Sequence, residues 1–531
     1  MIRFHNLVQC AALSAAFLLG GCGGNGVSPA PYVPPCPSFP CEAPTARKLQ
    51  IPDDTGFEMR KKEFEDLPEY RVMYRWGGQL RDDRHKQQIK ASAAYARGAT
   101  GKGEVVAVSD TFIYPDAREF NLLNEHGERI GSKVTVAGPQ DRDLNGLFGR
   151  THGTSVASLI AGTRDEAVIE RNMHGVAFDA TLVFRQVDLT HNPAHIKNMP
   201  NDLNLLTEQD DKDFAARLFN FDYARAAGAG ILNQSFGPLG HIDLYPEELV
   251  RAKLKHVAAA LEQKGVPPAD KIIVVHGAGN QGTDCFGPCD KGNPPVNPTS
   301  VGVWAGLGVY FPELRGHVLA VVAVDQNGKL KDNSNPCGSS AKIFCLAAPG
   351  EILVAANDNT PGNIRFGDTS GAAALVSGSL ALLRQYFRDE NGARQLGSTE
   401  LVARLLATAN RQGFYSHFYS YGHGLLDLDA ATAPVGQLMT SLSDDPNAQP
   451  FNPAAFSLSG NAFGGAMRDA LGGVKIAAFD ELDAPFFFPL ADGVSHAPQI
   501  SAGHSDSLHE HELSLGDAAN ASLALSLAAG E

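Results

Sequence analysis

The chain has little that would tie it to nucleic acid, to zinc or to a membrane span. Lys and Arg number 44 against 59 Asp and Glu in 531 residues, a net charge of −15, and no basic cluster stands out. That balance argues against nucleic acid as a partner. No C-x-x-C pair occurs among the eight cysteines, and His511-Glu512 is not followed by the second histidine of an H-E-x-x-H helix. Neither zinc arrangement is therefore written here. The apolar stretch from Leu7 to Leu19 is too short to span a bilayer. The composition is that of a globular protein, long enough for one large core with appendages or roughly two to four ordinary domains.

Arg3 followed by Leu7 to Leu19 has the charge and length of a secretory signal. The stretch ends in Leu19-Gly20-Gly21-Cys22, which resembles the bacterial lipobox, whose cysteine is lipidated and becomes the first residue of the mature protein. Residues 1–21 then form the signal and Cys22 the lipid anchor to a membrane. Gly23 in place of Asp is what that resemblance associates with the outer membrane, so the expected location is an outer-membrane lipoprotein, at the cell surface or in the periplasm. Six cysteines remain, as Cys36 with Cys41, Cys285 with Cys289, and Cys337 with Cys345. An even number of close neighbours in an exported chain reads as disulfides. Residues 22–47, rich in Pro and Gly, read as a tether, and 48–87 as a charged N-terminal extension.

From Glu104 onward short apolar runs alternate with helical patterns. Val105 to Val108, Leu182 to Val187, Gly230 to Leu232, Ile272 to Val275 and Val318 to Val324 read as buried strands. Ser155 to Ala161, Lys212 to Ala227, Pro246 to Lys264 and Gly371 to Phe387 read as helices. The alternation predicts an α/β fold, a mostly parallel sheet covered by helices on both faces. Such sheets bind ligands at the carboxyl ends of their strands. After about residue 440 the chain turns Gly- and Ala-rich, with a hairpin expected from Val474 to Phe479 and Phe486 to Phe488. The acidic cluster Glu208, Asp210, Asp211 and Asp213 reads as a solvated helix start rather than a calcium site. His504, His509 and His511 read as part of a solvated tail.

Four residues stand at element ends where such a sheet places a site. Asp110 follows the first strand. His152 precedes a helix whose apolar face is Val156, Leu159 and Ile160. Asn280 closes the Gly-rich loop His276-Gly277-Ala278-Gly279-Asn280, and Ser370 opens the small-residue helix Gly371-Ala372-Ala373. Alone, each has an ordinary structural reading as a turn former or cap. Together they supply a hydroxyl nucleophile, an imidazole base, a carboxylate to orient it and a donor for an oxyanion.

The order Asp, His, Ser is that of subtilisin and not of chymotrypsin or the α/β-hydrolases. Residues 88 to 430 resemble a subtilisin-like (S8) serine peptidase through His152-Gly153-Thr154, Asn233-Gln234-Ser235-Phe236-Gly237, Gly277-Ala278-Gly279-Asn280, Ala347-Ala348-Pro349-Gly350 and Thr369-Ser370-Gly371-Ala372-Ala373. Ala93 to Gly103 resembles the passenger domains of Gram-negative subtilase autotransporters in particular. The resemblance implies a three-layer sandwich over 88–435 and a small C-terminal appendage at 436–493; 494–531 reads by composition as a polar tail. It implies that Ser370 is the nucleophile, His152 the base, Asp110 its orienting carboxylate and Asn280 an oxyanion donor. Ser235, Phe236 and Gly237 would line the cleft and pair a protein or peptide substrate as an added strand. The expected activity is that of a monomeric endopeptidase needing no cofactor, with no metal residues assigned; family members often bind calcium, for which no ligands can be placed.

The chain departs from the family pattern at Phe112 and Asp368, where glycines are usual, and at Ala374, where Pro is usual. A carboxylate at 368 near the imidazole favours the protonated base, so Asp368→Gly is expected to lower the pH at which activity appears. Ser457 to Gly493 resembles the segment joining passenger to barrel in autotransporters. The residues after Gly493 are too few for a barrel of about eight strands, so the expectation is a lipid-anchored protease without its own translocator, or a truncated gene. The alternative function is a catalytically silent surface lipoprotein that uses the same fold to bind. A lipid esterase is disfavoured by motif order.

Overall fold

The computed structural model describes residues 56–76, 79–144, 149–165, 172–187, 203, 206–237, 240–282, 299–351, 353–356, 364–389, 391–443, 445–451, 458–459, 475–489 and 494–495. Cys22, the other cysteines except Cys337 and Cys345, and the tail histidines lie outside them. The chain divides after Cys41, and every described residue belongs to the unit Glu42–Glu531.

Seven strands form the central sheet: β1 (Val105–Asp110), β2 (Val134–Val136), β3 (Thr181–Gln186), β4 (Ile231–Gln234), β5 (Ile273–Gly277), β6 (Val318–Val324) and β7 (Cys345–Pro349). Their order across the sheet is β7-β6-β5-β4-β1-β3-β2. All six pairings are parallel. Because strand side chains alternate between faces, one strand feeds two cores. On β6, Leu319, Val321 and Ala323 join one buried cluster, while Val318, Ala320, Val322 and Val324 join the other.

The first cluster is covered by α1 (His152–Ala161), through Val156, Leu159 and Ile160, and by the 19-residue α4 (Asp368–Tyr386), through Leu375, Val376 and Leu380. On the opposite face Phe214 of α2 (Glu208–Arg217) meets Val257 and Leu261 of α3 (Lys255–Glu262). This is a three-layer α/β arrangement. The expected helix over 212–227 is two helices, Glu208–Arg217 and Asp222–Ala226, and the break sinks Phe219 and Phe221 into the core. The expected helix over 246–264 likewise breaks at buried Leu254.

Asp211 corrects the solvated reading of the acidic cluster. It is 1% exposed and accepts the backbone N–H groups of His256 (2.8 Å) and Val257 (3.0 Å), satisfying orphan donors in the first turn of α3. Glu208 is exposed as expected, and the half-buried Asp210 forms a capping box with Thr207.

Both flanking regions share the first core. Tyr70 and Val72 of the N-terminal extension are buried in it, as are Leu438, Phe451, Ala478 and Phe486 of the C-terminal segment. The C-terminal hairpin pairs β8 (Lys475–Phe479) with β9 (Pro485–Pro489) in antiparallel register. Cys337 and Cys345 are joined by a disulfide. Among the described residues no helix is long and apolar enough to cross a membrane.

Candidate active site

The strands end together at one edge, and the site is assembled there from loops and helix starts. Asp110 is the last residue of β1 and fully buried. Its Oδ1 accepts from the backbone N–H of Thr111 (2.7 Å) and from Nδ1–H of His152 (2.7 Å). Since a carboxylate only accepts, the bond to Nδ1 fixes the imidazole tautomer and makes Nε2 the nitrogen that accepts a proton.

His152 is the first residue of α1, and its Nε2 lies 3.2 Å from Ser370 Oγ. Gly153, the next residue, lets the start of α1 pack closely on its neighbours: a Cβ there would meet Phe112 O at 2.5 Å and the Phe184 ring at 2.9 Å. Phe366 stands edge-on to the imidazole at 5.2 Å between ring centroids. Burial works to lower the His152 pKa, but the charge and hydrogen bond of Asp110 and the charge of Asp368 together outweigh it and leave the pKa raised.

Ser370 is the third residue of α4 and 8% exposed. Its hydroxyl has one proton and two acceptors within 3.2 Å, His152 Nε2 and the backbone oxygen of Ser235. Ser235 Oγ returns a bond to Ser370 O (3.1 Å) and receives one from Asn233 Nδ2 (2.8 Å), which ties the end of β4 to the serine. Phe236, the next residue, packs on Trp304 at 5.8 Å, and a Cβ added at Gly237 would meet the Trp304 ring at 3.8 Å.

Asn280 follows β5. Its Oδ1 accepts both the backbone N–H of Thr369 (3.1 Å) and Thr369 Oγ1 (2.8 Å). A backbone N–H can only donate, so the amide orientation is fixed, and its NH₂ is turned away from Thr369. Gly277 makes this junction close, since a Cβ there would lie 2.9 Å from Thr369 Oγ1.

The structure thus brings Asp110, His152, Ser370, Ser235 and Asn280 into one place at the strand carboxyl ends. Asp368 is there too, as its position in the serine motif implies, but with a partner that the sequence did not reveal: its carboxylate is ion-paired with Lys331. Thr369, which orients Asn280, could have been read from the Thr-Ser-Gly motif. Lys331 belongs to no recognised motif and carried no signal. Among the described residues, no group of three or more His, Cys, Asp or Glu is assembled to hold a metal ion.

Residues 101–424 match the family model described as the subtilase family. The chain belongs to the subtilase family. It is a subtilisin-like serine peptidase, a hydrolase of protein or peptide substrates, and its parallel three-layer sheet is the subtilisin-like α/β fold. This subtilase is 28% identical over 373 residues to mycosin-1 of Mycolicibacterium smegmatis, an alignment covering 66% of this chain and 72% of that protein. It is 25% identical over 397 residues to an extracellular serine protease of Serratia marcescens, covering 66% of this chain and 33% of that one. The crystal structure of MycP1 from Mycobacterium smegmatis is 25% identical to the subtilase, covers 69% of it and 87% of the solved chain, and superposes with a TM-score of 0.45.

Proposed function

We propose that this subtilase is a secreted, lipid-anchored endopeptidase in which Ser370 is the nucleophile, His152 the general base and then acid, and Asp110 the group that holds the imidazole. The observation carrying the assignment is the continuous chain from Asp110 Oδ1 to His152 Nδ1 (2.7 Å) and from His152 Nε2 to Ser370 Oγ (3.2 Å). Ser370 Oγ attacks the scissile carbonyl carbon as its proton passes to Nε2, and the imidazolium that forms is stabilised by Asp110. The carbonyl oxygen becomes an oxyanion, for which the Asn280 amide and the backbone N–H of Ser370 are the donors. Collapse of the intermediate expels the amine, which takes the proton from Nε2, and water then reverses the sequence to free the acid. Ser235, Phe236 and Gly237 are the strand along which an extended peptide pairs.

The lipid anchor at Cys22 rests on the Leu19-Gly20-Gly21-Cys22 stretch, and the outer-membrane location on Gly23 after it. A silent binding lipoprotein is the weaker reading, because Phe112 and Asp368 leave both bonds of the Asp110-His152-Ser370 chain in place. One experiment tests the whole assignment. In fractionated cells expressing the full chain, a fluorophosphonate should label Ser370 in the membrane fraction. The label should disappear in His152→Ala, and radiolabelled palmitate should be incorporated by wild type and not by Cys22→Ala. Folded wild type that takes up no fluorophosphonate at Ser370 defeats the peptidase assignment, and wild type that incorporates no palmitate defeats the anchor.

A further inference from the structure

Asp368 occupies the first position of α4, two residues before Ser370, in left-handed backbone with φ +61°. Glycine adopts that conformation freely, whereas aspartate enters it only at a cost. Something must hold the residue there. Its backbone N–H donates to Gly350 O (2.6 Å), beyond the end of β7, and its carboxylate is paired with Lys331 Nζ. Lys331 is itself fixed. Its backbone N–H donates to Ala323 O (2.9 Å) on β6, its Nζ also reaches Asn333 Oδ1 (2.8 Å), and its side chain is 15% exposed. The ammonium therefore arrives on a tethered segment rather than as a freely moving surface lysine.

Among the described residues, the charged groups on the elements around His152 are few. Asp110 touches the ring from β1. The charge of Asp368 reaches it from the first position of α4, with Lys331 against the carboxylate. Arg150, in the turn before α1, is paired with Asp143 at 2.6 Å, and Arg365, on the strand that carries Phe366, has an exposed side chain. Among the described residues Asp368 is thus a second negative charge acting on the imidazole, and Lys331 is the cation paired with it.

We propose that Lys331 is a positioning residue of the peptidase reaction: by pairing with Asp368 it anchors the first turn of the serine helix and offsets the second negative charge near His152. This rests on the assignment of Ser370 and His152 as the reacting pair. It alters the consequence of Asp368 itself. A lone carboxylate would hold the base protonated to higher pH, whereas the paired one exerts only part of that effect.

The test is the rate of fluorophosphonate labelling at Ser370, followed against pH on the full-length protein, which reads the serine and its base without needing a known substrate. Asp368→Asn removes the charge while keeping a residue that tolerates left-handed backbone. Its acid limb should move to lower pH by on the order of half a unit, less than for a directly contacting charge. Lys331→Met leaves the carboxylate unopposed and should move the limb to higher pH by a similar amount. Lys331→Arg should restore the wild-type midpoint. A lysine that only supports the fold would change the amount of labelled protein and not the midpoint. Coincident midpoints, or shifts of both variants in the same direction, overturn the proposal. Wild type that is not labelled at all overturns the assignment of Ser370 first, and the role of Lys331 with it.

Discussion

At the scale of single residues, orientation matters more than presence. An asparagine after a Gly-rich turn is ordinary, and what distinguishes Asn280 is that Thr369 donates to its oxygen twice, by N–H at 3.1 Å and by Oγ1 at 2.8 Å. The amide cannot flip without losing the bond from the Thr369 N–H, so its orientation is set before substrate arrives. Such preorganisation makes a donor effective, because no reorganisation is needed as charge develops. Asn280→Ala should lower kcat on the order of 10²- to 10³-fold with KM little changed, the loss that subtilisin shows for its own oxyanion asparagine. Steady-state kinetics on any peptide the wild type cleaves will check this, and an equal loss confined to KM would contradict it.

At the scale of elements, the C-terminal hairpin is part of the peptidase core rather than a loose attachment. Arg404, on α5 (Ser398–Ala407), and Asp480, in the β8–β9 turn, are 1% and 2% exposed, and their side chains meet at 2.7 Å. Arg404 also donates to the backbone oxygens of Ala431 and Ala433, and its guanidinium lies over the rings of Phe387 and Phe486. Asp480 uses both oxygens, accepting from Val435 N on one and from Leu482 N and Ala484 N on the other. Removing one partner of such a buried pair leaves the other charge without compensation. Asp480→Ala should therefore cost about 3–5 kcal/mol, seen as a lower urea midpoint. A midpoint equal to wild type would mean that the hairpin undocks without consequence for the domain.

For the molecule as a whole, the buried histidines set a limit on the acid side. Burial pushes His276 and His317 down from the ordinary 6.5 to about 4, and both are 1% exposed. His317 donates from Nε2 to Leu261 O, a bond that the neutral ring makes without a second proton. Between those two pH values the unfolded chain binds protons that the folded one refuses, so stability is fully present above 6.5 and falls as pH drops toward 4. Each such histidine removes up to about 1.4 kcal/mol per pH unit in that window. Urea midpoints at pH 7 and pH 5 should fall less steeply in His276→Gln with His317→Gln than in wild type. Identical slopes would assign the acid sensitivity to other groups.

Much of the fold and the placing of the site residues was legible because both are local. Apolar runs such as Val318–Val324 announce buried strands, and Asp110, His152 and Ser370 stand at the strand end and helix starts that their neighbours define. The segments that escaped notice were weakly patterned: β2 has three residues, and β7 is built from Cys, Leu, Ala, Ala and Pro with no β-branched side chain. The sequence by itself thus determined the alternating α/β chain, the order of the reactive groups and the glycines that let them meet. Only the tertiary structure decided the partners brought from far along the chain: Lys331 against Asp368 across 37 residues, Asp211 capping α3 across 46 at Val257, and Arg404 against Asp480 across 76. The reason is physical. Backbone propensity and hydrophobic period act over a turn or two, whereas an ion pair depends on where two unrelated segments come to rest.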